Sequence, residues 1–166
     1  TENTYDKLSK EIISLLLLDN TEEQKICDAF FQVVLNNSFF AHLYAKLYKE
    51  FISINNLFTS VLEKQISEYV KSIPLIVYIS PNDDYDKYCD YVKKVDGVKN
   101  FTIFLINCLK QEIIQGVLLL ELATTFQNYC IENIDNEDKL ILNDIYISNI
   151  DIIVENIFNV MCKNEN

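Results

Sequence analysis

The sequence predicts an all-α fold of stacked antiparallel helical hairpins, about four helix pairs forming one domain over residues 1–166. Three observations predict it. Apolar residues recur at intervals of three and four along most of the chain, the spacing that aligns one stripe of a helix. The breaks between these stretches are short and made of Asn, Ser, Thr and Asp. Only two glycines and two prolines occur in 166 residues, too few for the left-handed turns and tight corners of an all-β chain. A hydrophobic content of 49% supplies ample material for a core.

Taken in order, Ser9 is placed to cap a first helix that runs to about Leu18. Thr21-Glu22-Glu23-Gln24 has the pattern of a capping box and starts a second helix at Glu22, ending near Asn36. Asn36-Asn37-Ser38 breaks that helix and caps a third, whose stripe is Phe40, Leu43, Tyr44, Leu47 and Phe51. Asn55-Asn56 ends it. The fourth helix spans about Leu57 to Ser72, and Pro74 prevents its continuation. Leu75 to Ile79, between Pro74 and Pro81, is a short apolar run that reads as extended, helical or a loop packed across neighbouring helices, with no strand assigned, within an irregular insert at about 73–83. The helical period resumes at about Asp84 and continues through Leu109 with Gly97 inside it, which predicts close packing at that point. Val117 to Asn133, Glu137 to about Ile147 and Asn149 to Cys162 follow as three further helices, giving eight in all.

Composition narrows the function. A formal charge of −11 repels polyphosphate, and the absence of Arg removes the bidentate fork used for phosphate and guanine recognition. Direct nucleic-acid binding is therefore disfavoured, with only local lysines such as Lys93, Lys94 and Lys99 available for weak RNA contact. The five cysteines (Cys27, Cys89, Cys108, Cys130 and Cys162) are scattered and odd in number, arguing for reduced thiols over disulfides or zinc ligation. No apolar run approaches the roughly 18 residues of a membrane span, and no membrane association is expected.

Catalytic chemistry finds little support. His42 is the single histidine and has no identifiable partner, so it reads as structural. Asp83-Asp84-Asp86 and Asp135 with Glu137-Asp138 fall where helices start, where carboxylates favour the helix dipole. Most of the ten tyrosines and ten phenylalanines recur at helical spacing and read as core rather than as stacking platforms for single-stranded RNA. No enzyme activity, metal or cofactor is expected, and binding through helix ends and inter-helix loops remains.

Phe40-Ala41-His42-Leu43-Tyr44-Ala45-Lys46-Leu47-Tyr48, preceded by Asn37-Ser38, resembles a signature of the middle domain of eukaryotic translation initiation factor 4 gamma. That family has a Phe, then Tyr-Ala four and five residues later, then an apolar pair. Phe58 through Leu62, with Gln65 and Glu68-Tyr69, is similar to the family's apolar helix with a Cys-Gln-x-Glu-Phe ending. Gly97, Phe101 and Leu105 keep the spacing of its Gly-Asn-x-x-Phe-x-x-x-Leu helix, and Leu8-Ser9-Lys10-Glu11 is similar to its opening. The chain departs from the family at Ile103-Phe104, which stand in place of Gly-Glu, and lacks its basic stretches.

The resemblance implies a crescent of HEAT-type hairpins acting as a cytoplasmic translation-initiation scaffold. Its partner would be a DEAD-box RNA helicase of the initiation factor 4A class, held half-open so that ATP turnover is stimulated by a domain that performs none. The candidate contacts are the inter-helix edge residues Asn36, Asn37, Ser38, Asn56, Thr59, Asp96 and Asn100, while Phe40, Tyr44, Phe58, Phe101 and Leu105 read as scaffold. A cap-binding protein, engaged through segments beyond these residues, is a second implied partner, and RNA contact is weak or indirect. Related helical-repeat adaptors serve splicing, nonsense-mediated decay and cap binding. A protein–protein adaptor with no helicase partner is the remaining alternative.

Overall fold

A computed structural model describes residues 2–18 and 23–163, with seven α-helices and no strand among them. They are α1 (Glu2–Leu16), α2 (Glu23–Asn36), α3 (Ala41–Ile54), α4 (Leu57–Ser72), α5 (Tyr85–Lys110), α6 (Gly116–Glu132) and α7 (Leu140–Lys163). Short 3-10 turns follow α4 at Ile73–Leu75 and precede α7 at Glu137–Lys139. Thr21 and Glu22, half of the expected capping box, lie outside the described residues.

The odd-numbered helices touch in succession, α1 on α3, α3 on α5 and α5 on α7, while α3 with α4 and α6 with α7 meet as sequential neighbours. One contact departs from a simple stack in which each hairpin meets only the next. Helix α2 lies along α5, past the hairpin that separates them in sequence. Gly97 faces Leu35 at this approach, where a β-carbon would stand 3.7 Å from the Leu35 carbonyl oxygen, an ordinary contact. Asn100 reinforces it, its Nδ2 donating to the same carbonyl at 2.8 Å. That carbonyl belongs to the last turn of α2, which has no partner within its own helix.

Helix α5 organises the core. From Gly97 to Cys108 it buries residues on several sides, including Phe101, Thr102, Phe104, Leu105 and Ile106, as a helix must when it is surrounded by others. An aromatic cluster links it to its neighbours, with Phe30, Phe31, Tyr48 and Phe104 rings meeting at centroid distances of 5.3 to 6.2 Å. Tyr48 is fully buried and donates its hydroxyl to the Phe58 carbonyl at 2.7 Å, tying α3 to the first turn of α4. At its C-terminal end α5 closes with Glu112 at φ 61, in the left-handed region, and Ile113 N–H donating to Cys108 O at 2.9 Å.

Three expectations are corrected. Ser9 caps nothing; it sits buried inside α1, its hydroxyl donating to Asp6 O at 3.4 Å, because the helix begins seven residues earlier at Glu2. Ser38 does not cap α3 with its side chain either. Asn37 Oδ1 accepts from Phe39 N–H at 2.8 Å, and the Ser38 carbonyl accepts from Ala41 N–H at 3.1 Å, so the turn is made by an Asx contact and backbone. The seventh and eighth helices are one, α7, and Asn149 does not break it. Its Nδ2 donates to Ile145 O at 2.8 Å and its Oδ1 is satisfied from α5, which lets a turn-forming residue sit mid-helix. The segment at 73–83 opens with the 3-10 turn Ile73–Leu75, and Ile73 and Ile76 are buried as its anchors.

Candidate functional site

The α2–α3 connection and the middle of α5 enclose a shallow depression of about 360 Å³. Five of the seven edge residues border it: Asn36, Asn37, Ser38, Asp96 and Asn100. Leu35, Phe39 and Lys93 complete the rim. Leu35, Asn36 and Lys93 also line a groove of about 590 Å³ running between α2, α4 and α5, so the two are continuous. Asn56 and Thr59 are not part of this surface. They lie at the other end of α3, where Thr59 Oγ1 donates to Asn56 Oδ1 at 3.1 Å in the first turn of α4.

The depression mixes functions. Asn100 is half-buried with its amide donor committed to Leu35, so it positions the rim rather than standing free. Asn36 donates to Gln32 O at 2.7 Å and remains exposed, as do Asn37 and Asp96. Lys93 approaches Asp90 at 3.4 Å, an exposed pair of little stabilising value that leaves the ammonium accessible. Beside them Phe39 is 80% exposed and stands edge-on to Phe40, with centroids 4.8 Å apart. Sequence reading missed Phe39. Its signal is adjacency: two consecutive phenylalanines at a helix start cannot both face the core. Phe40 itself is 37% exposed, whereas Phe58, Phe101 and Leu105 are buried.

A second concavity, of about 550 Å³, opens between α1 and the α2–α3 pair and is lined by Leu8, Ile12, Phe30, Phe40 and Tyr44. Tyr5 sits on its border, 3.5 Å from Glu50 Oε1 with Lys46 Nζ 5.1 Å from its ring centroid. Burial first, then the Glu50 carboxylate, push its hydroxyl up to about 12.

Burial pushes the Cys27 thiol up to about 11 and raises Cys108 further, which keeps both as inert thiols. Asp84 is lowered, chiefly by the backbone hydrogen bond from Lys87, because it serves as the N-cap of α5, as its place in the sequence implied. His42 is exposed on α3. Among the described residues no group of three or more His, Cys, Asp or Glu side chains converges to hold a metal ion, and no helix is long and apolar enough to cross a membrane. Comparison with known proteins returns no match to any family profile, curated protein or solved structure.

Proposed function

We propose that the chain is a non-catalytic translation-initiation scaffold that binds and stimulates a DEAD-box RNA helicase of the initiation factor 4A class. The observation that carries the reading is the ordered resemblance of the segments now seen as α3, α4 and the middle of α5 to the middle domain of initiation factor 4 gamma. The clustering of Asn36, Asn37, Ser38, Asp96 and Asn100 around one accessible depression, with the exposed Phe39 ring beside them, supports it. A surface mixing amide groups, one cation, one anion and an aromatic suits a reversible protein interface. Stimulation then follows from differential affinity for the open and closed arrangements of the two helicase lobes.

The test is the RNA-dependent ATPase rate of such a helicase with and without the domain, alongside direct binding by calorimetry. Saturable stimulation is expected. Binding without stimulation would favour the plain adaptor reading, and absence of both would overturn the helicase partnership.

A further inference from the structure

The groove of about 590 Å³ is formed where α4 stands beside α2 and α5. Helix α4 packs along α3, and it reaches α5 through Tyr69, whose ring centroid lies 4.8 Å from that of Phe101 and whose hydroxyl meets Thr102 Oγ1. The buried Phe31, Val98 and Phe101 line the groove, with the half-buried Leu35 beside them. Its walls follow helical spacing, Gln65, Glu68 and Ser72 along α4 and Lys93, Lys94 and Phe101 along α5. Seven or eight residues at 1.5 Å each give a length of about 11 Å, two helical turns.

The charge of these walls is uneven. Glu68 on α4 is met by Lys64 at 3.8 Å, and on α5 Lys93 is met at 3.4 Å by Asp90, one turn before Lys94. Lys94 is left over: it is exposed and forms no ion pair among the described residues. The groove is thus an apolar strip with one unanswered ammonium on its α5 side.

The complement lies on the same chain. The outer face of α7 carries Val154 and Phe158, 53% and 67% exposed and one turn apart, with the exposed Ile147 two turns before Val154. Asp151 and Glu155 stand along one flank of this ridge, exposed and without an ion pair among the described residues. Asp151 to Phe158 spans seven residues, about 10.5 Å, the length of the groove. An apolar ridge with carboxylates on one side therefore matches, in length and in sign, an apolar groove with an ammonium on one side.

We propose that the groove receives the α7 ridge of a second copy of this chain, Val154 and Phe158 entering between α4 and α5 while the Asp151 and Glu155 flank faces Lys94. Groove and ridge are different patches, so each copy carries one of each. Reciprocal seating closes a two-fold dimer, and one-way seating continues head to tail. The inference does not rest on the helicase reading, and its readout, the mass of the chain in solution, involves no helicase.

The test is sedimentation velocity of the full chain from about 10 μM to about 1 mM, at about 0.15 M salt to screen the repulsion between copies of net charge −11. A mass above that of the monomer, rising with concentration, is expected. Lys94→Glu spoils the groove and Phe158→Glu the ridge, both at exposed positions, and each is expected to weaken self-association by about tenfold or more, with circular dichroism checking that each variant stays folded. An equimolar mixture of the two variants regains one intact contact, the groove of one with the ridge of the other, and is expected to associate more tightly than either alone. A chain that stays monomeric throughout overturns the proposal. So do folded variants that associate as the parent does, and a mixture no tighter than its components.

Discussion

Thr102 on α5 donates its hydroxyl proton to Asn149 Oδ1 on α7 in the middle of the apolar core, where both residues are buried. A hydroxyl has one proton to give, so the Tyr69 hydroxyl, 2.7 Å from Thr102 Oγ1, is the donor on its other side. One threonine thereby joins α4, α5 and α7. Thr102→Val, similar in shape, leaves both Tyr69 and Asn149 unsatisfied and is expected to cost on the order of 3 kcal/mol. Tyr69→Phe removes only a donor, because Thr102 keeps its acceptor, and is expected to cost about 1 kcal/mol. Urea denaturation of the two variants checks the order, and equal losses would mean that Thr102 is not the shared partner.

Gly97 lies within α5, where glycine is unfavourable by about 1 kcal/mol relative to alanine. A methyl group there meets Leu35 O at 3.7 Å, an ordinary contact, so Gly97→Ala is expected to stabilise the fold by about 0.5–1 kcal/mol. A longer side chain has to displace Leu35 and separate α2 from α5. Gly97→Leu is therefore expected to destabilise by about 1–3 kcal/mol. Thermal unfolding of both variants separates the alternatives, and a destabilising alanine would mean that the helices need closer contact than they show.

Cys27 is buried, and its thiol rises from an ordinary 9.0 to about 11 on folding. Burial is the main cause, with Asp28 and Glu23 adding to it. Between those two values the unfolded chain releases the thiol proton and the folded chain keeps it, so stability falls as pH increases. The contribution is intact below pH 9.0 and is lost as the pH climbs through about 11. Cys27→Ala is expected to flatten that alkaline decline in the urea midpoint, though it lowers stability at neutral pH by leaving a small cavity. An unchanged slope would place the titration elsewhere, on Tyr5 or Tyr146, whose hydroxyls are held at about 12.

The sequence made the fold class readable because its apolar periodicity is strong, and α3 and α4 fall close to where their stripes and breaks put them. Polar residues inside helices misled it. Ser9 and Asn149 have the chemistry of caps, and only long-range contacts reveal that one is buried on α1 and the other answered by Thr102. The candidate edge was partly legible, because Asn-rich breaks mark inter-helix turns, but which turns share a surface depends on tertiary placement. The approach of α2 to α5 brings Asn37 and Asp96 together and leaves Asn56 at the other end of α3. The exposure of Tyr85 was hidden for a related reason: it keeps helical spacing with the half-buried Tyr88 and Tyr91, yet the first turn of α5 extends beyond the core.

That separation makes the helicase reading testable in parts. Helix α3 has 14 residues, so the two ends of the proposed contact edge are about 20 Å apart at 1.5 Å per residue. A partner with two lobes can reach both. Asn37→Lys with Asp96→Lys alters the depression, while Asn56→Lys with Thr59→Lys alters the far end, and Asn100 is left intact because it holds α2 to α5. Each pair is expected to weaken helicase binding by about tenfold in calorimetry, equivalent to about 1.4 kcal/mol. The two losses are expected to add when combined, because sites this far apart without shared partners act independently. Unchanged melting temperatures would show that the fold is intact. If one pair has no effect, the contact is confined to the other end and the two-lobe arrangement fails; if neither has an effect, the edge is not the helicase-binding surface.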